Sequence, residues 1–290
     1  MHPAPSVIVF TTRSGLGFGM LAWLGLGFPL VTGWVAFAMF ALAYALAVGG
    51  LLASTFHLGH PERAIKAFSQ WRSSWLSREG VVSVATLTVM ALYAAGAVFF
   101  DVHWALLGWI GAGLSLLTVF CTAMISAQLD TVPRWKTPLT PVLFMLISMA
   151  GGALLAGQIW AAMVLFPVAA TCQVMWWLRG DGAFKLAGST LATATGLGDR
   201  GRVRAFEPPH TGTNYLLREF AFEVGRKHAD KLRVIALTLG FVIPFSLLWL
   251  PFSYAVVLIA GLSHLAGIAA SRWLFFAQAE HVVGLYYGKR

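Results

Sequence analysis

Residues 34–100 read WVAFAMFALAYALAVGGLLASTFHLGHPERAIKAFSQWRSSWLSREGVVSVATLTVMALYAAGAVFF. Two long apolar runs flank a polar stretch, Ser54 to Gly80, which holds two His, two Glu and four basic residues in a chain that is only 11% charged. Each run is long enough to cross a bilayer core of ~30 Å at a helical rise of ~1.5 Å per residue. Neither alternates as a barrel strand would. The pair therefore reads as two membrane helices joined by a polar loop at one face of the bilayer.

The same reading extends over all 290 residues, where 58% of side chains are hydrophobic and the mean hydropathy is +0.76. That composition excludes a soluble globule. Eight runs of spanning length are expected, at 14–32, 34–56, 80–100, 104–127, 138–157, 159–178, 234–250 and 254–276. The fold class is all-α, a bundle of eight transmembrane helices forming a single membrane domain over 1–290, and short connections make sequential neighbours antiparallel.

Charge then gives the bundle its sides. Arg13, the group Arg63, Lys66, Arg72 and Arg78, the pair Arg134 and Lys136, the cluster beginning at Arg179, and Arg272, Lys289 and Arg290 all fall at one face once eight spans are drawn. Together they are all 20 basic residues of the chain. The positive-inside rule makes this face and both termini cytoplasmic. Trp34, Trp104, Trp160 and Trp249 lie near the opposite ends of spans and read as an interfacial belt. The net charge of +9 needs no nucleic acid, since loop asymmetry and anionic headgroups of membrane lipid account for it.

Several chemistries are not expected. Cys121 and Cys172 lie inside apolar runs with no partner at ligand spacing, so neither an iron–sulfur cluster nor a zinc site is read in this chain. A bis-His haem needs paired His within the bundle, whereas only His264 falls near the middle of a span; no haem is expected, and His264 reads as a packed, hydrogen-bonded residue. MHPAPSVIVFTTRSG lacks a basic n-region and a small-residue cleavage site and reads as mature chain. Gly15, Gly17, Gly19, Gly25 and Gly27 let a neighbouring helix, or a flat ligand, approach the backbone of the first span.

The segment from about 180 to 232 is too long for a simple connection and reads as a cytoplasmic loop with structure of its own. Leu216, Leu217, Phe220 and Val224 recur at helical spacing against Arg218, Glu219, Glu223 and Lys227. This amphipathic helix either lies on the lipid surface or offers a docking face to a soluble subunit.

The polar stretch carries the chemistry. His57 and His60 close the second span, Pro61 limits its continuation, and Ser77, Arg78 and Glu79 open the third. A helical hairpin can bring His57 and Glu79 to one depth. Imidazole titrates near neutrality, and burial can raise a carboxyl toward the same range, so both can exchange protons. Quinone–quinol conversion needs two protons at the headgroup boundary, where a ring can be held while its tail stays in lipid. The plainer reading of the same residues is a solvated positive-inside loop with bystander His.

FHLGHPERA closing the second span and SWLSREG opening the third, within eight spans, resemble the membrane anchor subunit of bacterial dimethyl sulfoxide reductases. The HPAPSVIVFTTRSG opening is similar to the branch containing anchors of quinone-linked sulfite dehydrogenases. The resemblance implies a complex with a molybdopterin catalytic subunit and an iron–sulfur electron-transfer subunit, the haem-free anchor exchanging electrons with menaquinone or ubiquinone. It also implies that His57 and Glu79 bind the quinone and handle its protons, with Arg63 supporting the loop. His60 and Arg78 stand where the family pattern has a small polar residue and an amide. An eight-span secondary transporter is the alternative; it favours midplane ionisable residues, broken helices and internal repeats. A purely structural anchor would leave His57 and Glu79 without a role.

Overall fold

A computed structural model describes residues 1–57, 60–207, 210–220 and 228–288. Among them there is helix and no strand, and the helices assemble around the first. The elements are α1 Pro5–Gly25, α2 Gly33–Ala53, α3 Trp75–Phe99, α4 Ala105–Ala127, α5 Leu139–Leu155 and α6 Ile159–Leu186. Short α7 Leu191–Thr195 and α8 Tyr215–Phe220 follow, then α9 Ala229–Leu237, α10 Ile243–Leu247 and α11 Tyr254–Ala277. The amphipathic helix expected around 216–227 is described only as far as Phe220, and the rest of it lies outside the described residues.

Six of these helices, α1, α2, α3, α4, α6 and α11, are long and apolar enough to cross a membrane. The chain is a multi-pass membrane protein, a helical bundle in which two of the eight expected runs take other forms. The fifth run gives α5, only 17 residues, closed by Gly157 at φ +68°, a conformation that favours glycine. The seventh run is broken: α9 passes through a π turn at Thr238–Val242 into α10. Pro244 lacks an N–H and so cannot bond back toward Gly240; instead His264 on α11 donates from Nδ1 to the Gly240 carbonyl, 2.6 Å away.

Boundaries also move. The first helix starts at Pro5, whose missing N–H costs nothing in a first turn, and Gly27 at φ +83° turns the chain after its end. The third starts at Trp75, after an extended Ser74, so Glu79 sits one turn inside the helix rather than before it.

α1 is the hub, packed on α2, α4, α5 and α11. Its glycines make that possible. A Cβ on Gly17 would run into the Ala47 backbone of α2, and one on Gly19 into the Ser148 carbonyl of α5. These glycines serve helix approach, and without them α1 could not be central. Trp34, Trp104, Trp160 and Trp249 are exposed at the end opposite the basic residues.

Candidate functional site

The start of α3 and the chain before it form one folded unit at the basic end. A 3-10 turn, Ser54–His57, continues α2, and a second, Pro61–Phe68, runs back toward α3. Three contacts fasten that chain to the helix. The Ser77 hydroxyl donates to the Ala67 carbonyl, the Phe68 ring covers Gly80 at a spacing where an added Cβ would stand 3.2 Å from it, and Arg78 reaches the loop carbonyls. Arg78 donates from Nε to Trp71 (3.1 Å) and from Nη2 to Arg72 (2.7 Å), while its Cζ lies 4.3 Å from the Trp75 ring centroid. Arg78 is thereby committed to the loop.

Glu79 points the other way, into the bundle. It is 4% exposed, and its Oε1 is in hydrogen-bond contact with the Thr122 hydroxyl of α4. Thr122 also lies 3.0 Å from the Thr118 carbonyl, so its one hydroxyl hydrogen has two acceptors in reach. With Glu79 ionised, the hydroxyl donates to the carboxylate; with Glu79 protonated, the acid can donate to Thr122 while Thr122 turns to Thr118. One turn from Thr122 along α4 and two from Glu79 along α3, the Thr118 and Thr86 hydroxyls meet at 3.0 Å. Glu79 thus heads a row of hydroxyls shared by α3 and α4, at the boundary between bundle and polar loop. Trp75 packs edge-on against Phe120 of α4, with ring centroids 5.8 Å apart, beside the same boundary.

The remaining sequence-derived residues are placed differently. The side chain of His57 lies outside the described residues, so its meeting with Glu79 does too; its backbone ends the turn after α2. His60 Nδ1 pairs with Glu62 at 2.8 Å, both about two thirds exposed, and Arg63 faces Glu62 at 4.0 Å. These three form an exposed surface cluster. None of them is brought to Glu79.

Two residues went unread in the sequence. Thr122 was legible only as part of a pattern, Ser115, Thr118 and Thr122 on α4 against Glu79, Ser83 and Thr86 on α3, all at helical spacing. Arg13 counted only as a charge for orientation; it lies against Gly49 of α2 and donates to the Ala45 carbonyl at 3.4 Å. An open groove of about 230 Å³, almost wholly apolar, lies elsewhere, between Phe37, Tyr44 and Phe99 at the opposite end of α2 and α3. Its chemistry suits a lipid chain.

Comparison with known proteins adds the relationship. A family model described as DMSO reductase anchor subunit (DmsC) matches residues 30–288. A sulfite dehydrogenase subunit of Allochromatium vinosum is 34% identical over an alignment covering 99% of each chain. Anaerobic dimethyl sulfoxide reductase chain YnfH of Escherichia coli is 32% identical over 53% of this chain and 56% of its own. No solved structure matches the chain significantly.

Proposed function

The chain belongs to the DMSO reductase anchor subunit family, and from that membership we propose that it anchors a molybdoenzyme complex and carries that complex's quinone site at the head of α3. In this reading the fifth run and the broken seventh run both cross the membrane, giving eight passes with the basic face in the bacterial cytoplasm. An iron–sulfur subunit docks on that face and a molybdopterin subunit on it in turn. The name of the full-length relative favours sulfite oxidation as the complex's reaction.

The observation that carries the quinone assignment is the burial of Glu79 at the polar boundary with Thr122 as its partner. An acid in that position is costly and finds a use where protons must reach a membrane-dissolved reactant. The residues fit a quinone ring: a protonatable carboxyl, a two-way hydroxyl, the Phe68 ring over Gly80, and the Trp75 ring against Phe120. A quinone bound there supplies a couple of two electrons and two protons. Glu79 takes up or delivers a proton at its Oε1 side, and Thr122 holds whichever form results. His57 is the second proton group of the proposal. The Arg78 contacts keep the loop closed over the helix start, which limits water.

The test is Glu79→Gln in the assembled complex. Quinone-linked turnover should fall by roughly a hundredfold, as for loss of an acid–base group, with all subunits still co-purifying. Turnover within a few-fold of wild type would place the site elsewhere.

A further inference from the structure

A second polar feature lies on the far side of α1 from Glu79. Arg272, near the end of α11, is 2% exposed inside the bundle. One face of its guanidinium rests on Phe144 of α5, with Cζ 3.4 Å from the ring centroid, and its Nε has no hydrogen-bond partner. Among the described residues no carboxylate stands within ion-pair distance of it. Asp181 is held between Arg134 and Arg233, and Glu280 acts on Arg134. A guanidinium stays protonated, so it cannot shed its charge as a buried Lys does. The ring contact offsets only part of the cost of that burial.

Beside Arg272 a cavity of about 10 Å³ opens between α1, α5 and α11, lined by Thr12, Ser148, His264 and Ile268 among others. The Thr12 hydroxyl is buried there and also lacks a partner. Two orphaned polar groups, one of them a full positive charge, therefore share a space the size of one small guest. That volume rejects phosphate, a sulfur oxyanion or a quinone ring. A water would satisfy Thr12 but leave the charge whole. His264, elsewhere on the cavity lining, has its Nδ1 committed to the Gly240 carbonyl. Residues 264 and 272 are separated by roughly 12 Å along the helix axis.

We propose that Arg272 and the Thr12 hydroxyl bind one monatomic anion of halide size, chloride in the cell, as the counter-ion that lets α11 bury its arginine against α1 and α5. The site is separate from Glu79 and does not depend on the quinone assignment.

Bromide is the probe. The purified full-length chain, kept in gluconate at constant ionic strength, is titrated with bromide while its thermal midpoint is followed. The wild type should show a saturable rise. Thr12→Val, which removes one donor from a site that keeps its charge, should need about tenfold more bromide for the same rise. Arg272→Gln should lose the saturable rise. Crystals of the complex grown in bromide should give an anomalous peak within hydrogen-bond reach of the Arg272 guanidinium. A rise of equal size and midpoint in wild type and Thr12→Val, or maps with no peak at Arg272, overturns the proposal.

Discussion

At the residue scale the Glu79–Thr122 pair and Arg78 make opposite predictions from adjacent positions. Thr122→Val removes the hydroxyl that follows the protonation of Glu79, so quinone turnover should drop by about tenfold while the helices stay packed. Steady-state assay of the assembled complex checks this; unchanged turnover means the hydroxyl is only a packing group. Arg78→Ala removes two bonds to loop carbonyls and the stacking on Trp75. It should destabilise the loop by about 1–3 kcal/mol and expose the segment before Trp75 to protease. A cleavage rate equal to wild type would contradict it. The sequence could name Glu79 and Arg78 together, as two charged residues opening a helix. It could not assign them to opposite sides, because the direction of a side chain near a helix start depends on where the helix begins. The five-residue shift to Trp75 decided that.

At the element scale two features govern assembly, the glycine face of α1 and the broken seventh segment. Gly19→Leu forces a side chain onto the Ser148 backbone, whereas a Cβ added at Gly113 on α4, as in Gly113→Leu, meets nothing within 4 Å. The first should lose well over 3 kcal/mol, or fail to accumulate in membranes, and the second should behave as wild type. Comparing their yields and thermal midpoints separates packing from generic helix effects. In the seventh segment, His264→Leu removes the Nδ1 donor to the Gly240 carbonyl and should cost about 1–3 kcal/mol. In a Pro244→Ala background the restored N–H can take that carbonyl, and the cost should shrink. Equal losses in both backgrounds would refute the coupling. Composition read this segment as one more apolar span, and hydropathy alone does not register a π turn ahead of a proline. His264 was legible as a hydrogen-bonded packing residue, though its partner was not.

At the scale of the whole molecule the two ends of the chain are stitched together at the basic face. Met1 donates from its amino group to the Ala279 carbonyl at 2.8 Å, His2 to the Glu219 carbonyl at 2.7 Å, and Val282 to the Thr131 carbonyl at 3.0 Å. His281 sits within this cluster, its Nδ1 accepting from the Val283 N–H at 3.0 Å. Burial, and secondarily the Met1 amino charge, hold its imidazole below the ordinary histidine range. The native ring is therefore neutral, while the unfolded ring takes a proton below about pH 6.5. This contact stabilises fully above that value and weakens as the pH falls through it toward the lower native value. The protection of the first residues against hydrogen exchange, taken relative to intrinsic exchange at each pH, should accordingly fall between pH 7 and 5, and His281→Gln should flatten the change; protection independent of pH in wild type would refute the linkage. Taken alone, the sequence determined the solvent in which this protein folds and which face is basic, because both are sums over many residues that tertiary detail cannot reverse. It also marked Glu79 as an acid at a helix mouth. Only the tertiary structure decided that Glu79 meets Thr122, that His60 and Arg63 stand in solvent, and that Arg272 is buried. Partners on different helices are set by rotation and crossing, which no local spacing encodes.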